Sequence, residues 1–311
     1  MSSGALTQRA IGSLLILPVA AVALFPPVGT LAVTVLLIAL AAREAAKILT
    51  KVLGGASAFW ITIILVSPLF AAISPALGAV LTITTLLLFV GTVIRRAIRA
   101  TEKRLEPELR LLLGTMAAVI WLSPLTLLPL LASLDPLDRG APARRIVWLL
   151  AIVWTADSAA YLVGRTIGRR KLAPVLSPRK SLEGFIGGIL VAGLVGALIA
   201  GPLFTLGTPE EMRPLWGLVW GLIIATAAEA GDLLESLFKR VAGAESASNL
   251  IPGHGGVLDR IDSLLLAAPV TLIAALILRG QGEPRPRRSA WCERINRPAS
   301  CRRYRAASRR V

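Results

Sequence analysis

The sequence predicts an all-α fold, a polytopic integral membrane helical bundle with about eight or nine transmembrane helices. Of the 311 residues, 55% are hydrophobic and only 17% are charged, and the mean hydropathy is +0.72. A soluble core of this size cannot bury so much apolar surface. Apolar stretches also recur along the chain, most of them long enough to cross ~30 Å of hydrocarbon. They cover about 9–25, 27–42, 57–74, 76–94, 111–133, 146–163, 185–206, 214–230 and 264–279.

The first apolar stretch has two interpretations. Ala21-Val22-Ala23 resembles the cleavage site of a secretion signal. However, Phe25-Pro26-Pro27 leads directly into the second apolar stretch, which a cleaved signal does not require. We therefore interpret the first two stretches as an uncleaved helical hairpin.

The formal net charge of +16 would suggest a nucleic-acid partner in a soluble protein, but cytoplasmic loops of membrane proteins collect Lys and Arg. With a cytoplasmic N-terminus and alternating spans, the basic loops Arg43–Lys51, Arg95–Arg110, Arg165–Lys180 and Lys239–Arg260 share one side. Arg139, Arg144 and Arg145 fit this arrangement less well. We expect a multi-pass protein of a bacterial inner membrane, with its functional segments towards the cytoplasm and no nucleic-acid partner.

Three regions follow from the composition: N-terminal transmembrane helices at 1–145, a membrane region with polar motifs at 146–280, and a basic tail at 281–311. The tail has no hydrophobic periodicity and is predicted to be disordered. It could contact anionic lipid or RNA, or be a solvated extension without a partner. Its Cys292 and Cys301 indicate neither a zinc site nor a structural disulfide.

The run Pro252–Ser263 concentrates the only histidine, three glycines and two aspartates in an otherwise apolar chain. Asp259 and Asp262 stand three residues apart, so on a helix they project from one face. Two carboxylates beside a glycine loop and Arg260 suit a metal ion that carries a phosphate.

A second polar stripe lies in the preceding helical segment. Glu229, Asp232 and Ser236 are spaced three and four apart, so they share one helix face. Because such a stripe is costly against lipid, we expect it to line a cavity shared with Asp259 and Asp262. Asp157, inside another span, either lines the same cavity or pairs helices.

These motifs resemble the signature of the phosphatidate cytidylyltransferases, the CDP-diacylglycerol synthases. The signature is carried by Ser236–Arg240, a short spacer and Pro252–Asp262, and the resemblance covers roughly 150–265. Further matching blocks are Asp157–Tyr161, Ser177–Gly184 and Gly231–Ser236. The resemblance implies that region 146–280 is catalytic. It also implies that CTP and phosphatidic acid yield CDP-diacylglycerol and pyrophosphate, with Mg²⁺ or another divalent metal as cofactor.

The resemblance also implies a set of site residues. Asp232, Asp259 and Asp262 would hold the metal, and Lys180 and Arg260 would complete the catalytic group. Residues expected to bind substrate are Asp157, Arg179, Ser181, Glu183, Ser236, Lys239, Arg240, Gly253, His254, Gly255 and Gly256. For His254 we favour phosphate contact or support of the nucleotide pocket over general-base catalysis, because the phosphate of phosphatidate is largely ionised.

Simpler interpretations of these residues remain open. The aspartates could form internal ion pairs with Lys239, Arg240 and Arg260, and Arg179 could be an ordinary cytoplasmic charge. Ser236 is either a ligand or a helix hydroxyl.

The chain departs from the family pattern at two places. Glu245-Ser246 stands where the family has Lys-Asp, and Glu229 stands where it has Gln. The change could be a compensated swap, or it could mark a shifted substrate or a weakened enzyme.

Two other classes of protein are weighed beside this resemblance. A CTP-dependent polyprenol or phytol kinase would share the nucleotide and the membrane setting, but the Gly-His-Gly-Gly block does not favour it. An ion-coupled transporter would be favoured by inverted repeats, and we find none in the sequence. Gly187-Gly188 and Gly193–Gly196 allow close helix packing within or between subunits, so a homodimer is possible.

Overall fold

The computed structural model describes residues 18, 21–24, 28–98, 105–133, 144–205, 213–253 and 255–282. Most of the first predicted span, His254 and the basic tail with both cysteines lie outside these residues. The described residues are mainly helical, with one short antiparallel hairpin.

The helices cover the apolar stretches in the described part of the chain, and some continue beyond them, so that the predicted basic loop Arg43–Lys51 is helical. In the first half they are α1 (Val28–Leu53), α2 (Ala58–Val66), α3 (Pro75–Ile98), α4 (Leu105–Leu122) and α5 (Leu127–Ser133). Short 3₁₀ turns follow α2 at Ser67–Ala72 and α4 at Ser123–Thr126, each with a proline in its first two positions. In the second half are α6 (Arg144–Thr166), β1 (Lys171–Ala173), β2 (Ser177–Ser181), α7 (Leu182–Thr205), α8 (Pro214–Val241) and α9 (Leu258–Gly282).

Within the described part of the chain, seven helical segments are long and apolar enough to cross a membrane. The apolar segment Ala58–Ala72 is shorter, although the sequence predicts a span at 57–74. The all-α, polytopic bundle is confirmed, and the chain is a multi-pass membrane protein.

Glycines bring α7 close to both of its neighbours. A Cβ on Gly188 would lie 2.7 Å from the carbonyl oxygen of Ala156 in α6, and one on Gly196 would lie 2.7 Å from that of Gly217 in α8. Trp148 of α6 also donates its indole N–H to the carbonyl oxygen of Gly196, at 3.3 Å. The small-residue runs therefore serve packing within this chain, where close backbone contact replaces bulky side chains.

The main core joins the first and second halves of the chain. Fully buried side chains of α1 such as Ile38 and Leu49 belong to the same cluster as Leu149 of α6 and Leu265 of α9. The division at residue 146 remains a prediction.

The hairpin and the loop before α9 lie at the same end of the bundle. Arg240, at the end of α8, donates from Nε to the carbonyl oxygen of Leu176 between β1 and β2, at 3.2 Å. In the hairpin, Lys171 pairs with Ser181 and Ala173 with Ser177. The basic segments Arg165–Lys180 and Lys239–Arg260, which the sequence predicts to share one side, therefore meet at one end of the bundle. The all-α prediction did not include the hairpin.

Candidate active site

Lys180 joins the hairpin to α8 through two carboxylates. Its Nζ lies 2.5 Å from Oε2 of Glu229 and 2.5 Å from Oδ2 of Asp232. Burial alone would lower the pKa of Lys180, but the charges and hydrogen bonds of Asp232 and Glu229 outweigh burial and hold the pKa above its ordinary value. The lysine is therefore protonated where the hairpin contacts the acidic face of α8.

Lys239, in the last turn of α8, forms a second ion-pair centre. It forms an ion pair with Glu235 one turn earlier and donates to Oδ1 of Asp259 at 2.6 Å. Asp259 lies in the first turn of α9. This lysine therefore links the end of α8 to the beginning of α9.

Three carboxylates converge between the two lysines. Asp232, Glu235 and Asp262 each offer an oxygen, and these oxygens lie within 4.8 Å of one another. Glu235 is fully buried and Asp262 is only 8% exposed. Oε1 of Glu235 has no hydrogen-bond partner among the described residues.

Lys180 and Lys239 pair with Asp232 and Glu235, but Asp262 has no ion-pair partner among the described residues. The cluster therefore keeps an excess of negative charge that a bound cation would relieve. Carboxylate oxygens are the ligands preferred by hard divalent cations such as Mg²⁺ and Mn²⁺. Oε1 of Glu235 is buried and has no hydrogen-bond partner among the described residues, so it is available as a ligand atom. We conclude that Asp232, Glu235 and Asp262 fit a divalent metal ion.

Asp259 occupies a different environment from Asp262. Besides Lys239, it accepts hydrogen bonds at Oδ2 from the backbone N–H groups of Gly256 at 2.8 Å and Ala247 at 3.0 Å. The structure thus places Asp232 and Asp262 of the predicted ligand set in the metal-compatible cluster, with Glu235 as the third member. Asp259 instead anchors the loop before α9.

Sequence reasoning missed Glu235, although its spacing from Asp232 held the signal. Residues three apart share a helix face, and Glu235 stands three residues after Asp232. The predicted polar stripe includes Ser236 and not Glu235. Ser236 lies beside the cluster, with its hydroxyl 3.5 Å from Oδ1 of Asp232.

Two predicted substrate contacts stabilise the hairpin region. The buried hydroxyl of Ser181 accepts the N–H of Gly184 at 3.2 Å and thereby caps the start of α7. The carboxylate of Glu183 accepts the backbone N–H groups of Arg169 and Arg170, at 3.0 Å and 3.1 Å. These bonds, with that of Arg240 to the hairpin, hold β2 where Lys180 can reach α8.

Three other predicted residues have exposed side chains. Asp157 of α6 lies close enough to Glu229, Asp232, Lys180 and Arg260 to interact with them electrostatically. Arg179 lies on β2 and Arg260 lies in the first turn of α9, and both are exposed. They are free to approach an anionic ligand.

The glycine loop is shaped by its own backbone and by nearby carboxylates. Gly253 and Gly255 have φ values of +71° and +82°, a region that L side chains rarely adopt. The N–H of Ile251 donates to the carbonyl oxygen of Gly255 at 2.8 Å and closes the turn. His254 lies outside the described residues, so its phosphate contact stays a prediction.

A basic cavity of about 570 Å³ borders the same loop on the side of α1. Arg43, Lys47 and Lys51 line it together with Ser246. Among the described residues, no ion pair neutralises these three cations. Glu245, the neighbour of Ser246, is exposed.

Fold and site together define a membrane-embedded helical protein with a charged, metal-compatible centre at one end of its bundle. The model of the Cytidylyltransferase family matches residues 7–278. The chain belongs to this family.

Curated relatives match parts of the chain. The phosphatidate cytidylyltransferase of Haemophilus influenzae is 48% identical over 126 residues, which cover 40% of this chain and 43% of that protein. That of Bacillus subtilis is 39% identical over 124 residues, covering 40% and 44%. The uncharacterized protein YnbB of Escherichia coli is 39% identical over 163 residues, covering 51% and 53%. The chain thus spans about half the length of the curated relatives it matches.

Proposed function

We propose that this protein transfers the cytidylyl group of CTP to phosphatidic acid, giving CDP-diacylglycerol and pyrophosphate. The observation that carries the proposal is the convergence of Asp232, Glu235 and Asp262 beside Lys180, in a member of the cytidylyltransferase family. The relatives named phosphatidate cytidylyltransferase support the choice of lipid substrate. The membrane-spanning fold supports a lipid substrate too.

The reaction joins two anions. A phosphate oxygen of the lipid forms a bond to the α-phosphorus of CTP, while the bond from that phosphorus to the bridging oxygen of the β-phosphate breaks. The electron pair leaves with pyrophosphate. The attacking oxygen is already ionised, so the step requires charge neutralisation and alignment more than a base.

Lys180 is the residue best placed to neutralise incoming phosphate. Its ammonium group contacts Glu229 and Asp232, and it comes from a hairpin rather than from the packed helices. Its protonated state is stabilised, as described above. We infer that it exchanges a carboxylate contact for a phosphate oxygen when CTP binds, and that exposed Arg179 and Arg260 hold the remaining phosphate charge.

A divalent cation, with Mg²⁺ the expected ion, completes this site. Asp232, Glu235 and Asp262 would hold it, and it would supply charge neutralisation and polarisation at the reacting phosphates. Ser236 and Asp157 border this position. Lys239 and Asp259 keep α8 and α9 in register around it.

We further propose that the site faces the cytoplasm of a bacterial cell from the inner membrane. The hairpin, the loop before α9 and the basic residues of α1 lie at one end of the bundle. Arg96 at the end of α3 also lies near the start of α4, pairing with Glu108 at 3.1 Å. This concentration of Lys and Arg supports a cytoplasmic end by the positive-inside rule.

The test is incubation of the purified protein with phosphatidic acid, Mg²⁺ and CTP labelled on either the α- or the γ-phosphate. Cytidylyl transfer labels phosphatidic acid only from the α-position, whereas a CTP-dependent lipid kinase would label an added polyprenol only from the γ-position. An Asp232→Asn variant purified in parallel controls for contaminating host enzyme. Absence of α-label in lipid with folded protein would refute the proposal.

A further inference from the structure

Glu44 is an acid in the middle of an apolar helix. It lies in α1 between core residues Ala42 and Ala45 and is only 3% exposed. Burial of a carboxylate is costly unless it is fully hydrogen-bonded or paired with a cation. No Lys or Arg contacts it among the described residues, so neutral donors satisfy its charge.

These donors belong to the loop before α9 and to the first residue of α9. Oε1 of Glu44 accepts the hydroxyl of Ser248 at 2.5 Å and the N–H of Val257 at 3.1 Å. Oε2 accepts the N–H of Leu258 at 2.7 Å. The first N–H groups of a helix have no partner within it and form its positive end. Glu44 therefore caps α9 from a distant helix.

A glycine in this loop leaves room for the Glu44 carboxylate. A Cβ on Gly256 would lie only 2.7 Å from Oε2 of Glu44. Gly256 does not have a positive φ, so close approach to Glu44 explains this glycine better than backbone strain does. Asp259 accepts the neighbouring N–H groups of Gly256 and Ala247. Two carboxylates thus engage the backbone donors at 247, 256, 257 and 258.

We propose that Glu44 is a positioning residue for cytidylyl transfer. By fixing the start of α9, it sets where Asp262 projects towards Asp232 and Glu235. It also engages the N–H groups of Val257 and Leu258, so they do not bind substrate phosphate. Phosphate recognition is then left to side-chain cations such as Lys180. This inference rests on the proposed function for its kinetic consequence, but its structural part is independent of that function.

The experiment compares Glu44→Gln with Glu106→Gln in the full-length protein in detergent. Glutamine keeps the size of Glu44 but presents an N–H₂ group to one of the donors. Glu106 is an exposed glutamate on α4, distant in sequence from the loop, and serves as the matched control.

Three measurements are made on each variant. In Glu44→Gln, amide hydrogen exchange at Val257 and Leu258 should accelerate at least about tenfold, because these N–H groups lose their carboxylate acceptor. The dissociation constant for Mn²⁺, measured by electron paramagnetic resonance, should rise about tenfold, as is usual when a residue that orients metal ligands is lost. The kcat should fall about tenfold or more, with KM for CTP changed less than about threefold. Glu106→Gln should match wild type in all three.

Gly256→Ala attacks the same contact from the other side and remains informative if Glu44→Gln does not fold. Its methyl group should displace the Glu44 carboxylate and reproduce the three changes. The double variant should be little worse than either single one, since both remove one interaction.

Unchanged exchange at 257 and 258 would overturn the proposal. So would faster exchange or a lower melting temperature with Mn²⁺ affinity and kcat retained, since Glu44 would then be structural only. If wild type makes no CDP-diacylglycerol, the proposed function fails, while exchange together with Mn²⁺ affinity still decides whether Glu44 positions the metal ligands. If wild type binds no Mn²⁺ either, the positioning proposal fails, and faster exchange shows only that Glu44 caps α9.

Discussion

The two lysine centres differ in how their ammonium groups are held. Lys180 and Lys239 each contact two carboxylates. Both carboxylates of Lys180 lie on α8, whereas Lys239 contacts one on α8 and one on α9. The side chain of Lys180 is 22% exposed and comes from a two-stranded hairpin. That of Lys239 is 12% exposed and pairs with Glu235 within its own helix.

This difference suits Lys180 to ligand binding and Lys239 to holding α8 and α9 together. A lysine on a hairpin can exchange partners without moving a helix, so Lys180 is suited to meet a charged ligand. Lys239 cannot leave without exposing Asp259 and Glu235 as unpaired buried charges. We therefore expect these two ion-pair centres to have different roles, because one lysine comes from a short hairpin and the other from a packed helix.

The largest effect is expected from the carboxylates between the two centres. Asp232→Asn and Asp262→Asn should each reduce turnover about 1,000-fold, since lost metal ligation removes several kcal/mol of transition-state stabilisation. Steady-state assays with CTP and phosphatidic acid measure the loss, and size-exclusion profiles check folding. If Asp262→Asn retains more than a tenth of wild-type activity, the cluster does not form the metal site.

Lys180→Met should lower kcat/KM about 100-fold, as expected for the loss of one preorganised group that stabilises developing charge. The melting temperature in detergent should fall less than that of Lys239→Met, because the hairpin keeps its bonds through Ser181, Glu183 and Arg240 and only Glu229 is left as a buried, unpaired carboxylate. A fall as large as that of Lys239→Met would contradict the assignment of Lys180 to binding rather than support.

Lys239→Met should lower stability more than it lowers activity. Removing one partner of a buried ion pair typically costs roughly 3–5 kcal/mol. We expect a clearly lower melting temperature, with kcat reduced less than about tenfold in the protein that stays folded. Equal stability of Lys180→Met and Lys239→Met would remove the distinction between the centres.

The smallest effect is expected at Glu245-Ser246, beside the basic cavity. Glu245→Lys alone adds a cation near Arg43, Lys47 and Lys51 and should reduce activity slightly. Adding Ser246→Asp supplies a partner, so the double variant should equal or exceed wild type within about threefold. A double variant markedly worse than both single ones would mean that Glu245 and Ser246 belong to a rearranged site.

Hydropathy was sufficient to predict the bundle, because each apolar helix carries its own signal. The hairpin carries none, since Ser177–Ser181 is short and polar and is held by distant contacts such as that of Arg240. Within the site, spacing indicated which acids share a helix face. It could not show that α9 turns Asp262 towards Asp232 while Asp259 meets the loop.

Glu44 illustrates the limit of local reasoning. In the sequence it lies within Arg43–Lys51, which the charge pattern predicts to be a basic loop. A Glu flanked by Ala42, Ala45 and Ala46 inside an apolar helix was the available signal of burial. Its partner Leu258 lies 214 residues away, beyond the reach of any periodicity.

That separation also bears on how the protein is made. Residues near the N-terminus leave the ribosome long before α9 does, so Glu44 is inserted without its partners. The charged end of the bundle is completed only when the last described helix packs against α1. Assembly of the site thus becomes a late event of biosynthesis, and a chain arrested before α9 lacks both the cap and Asp262.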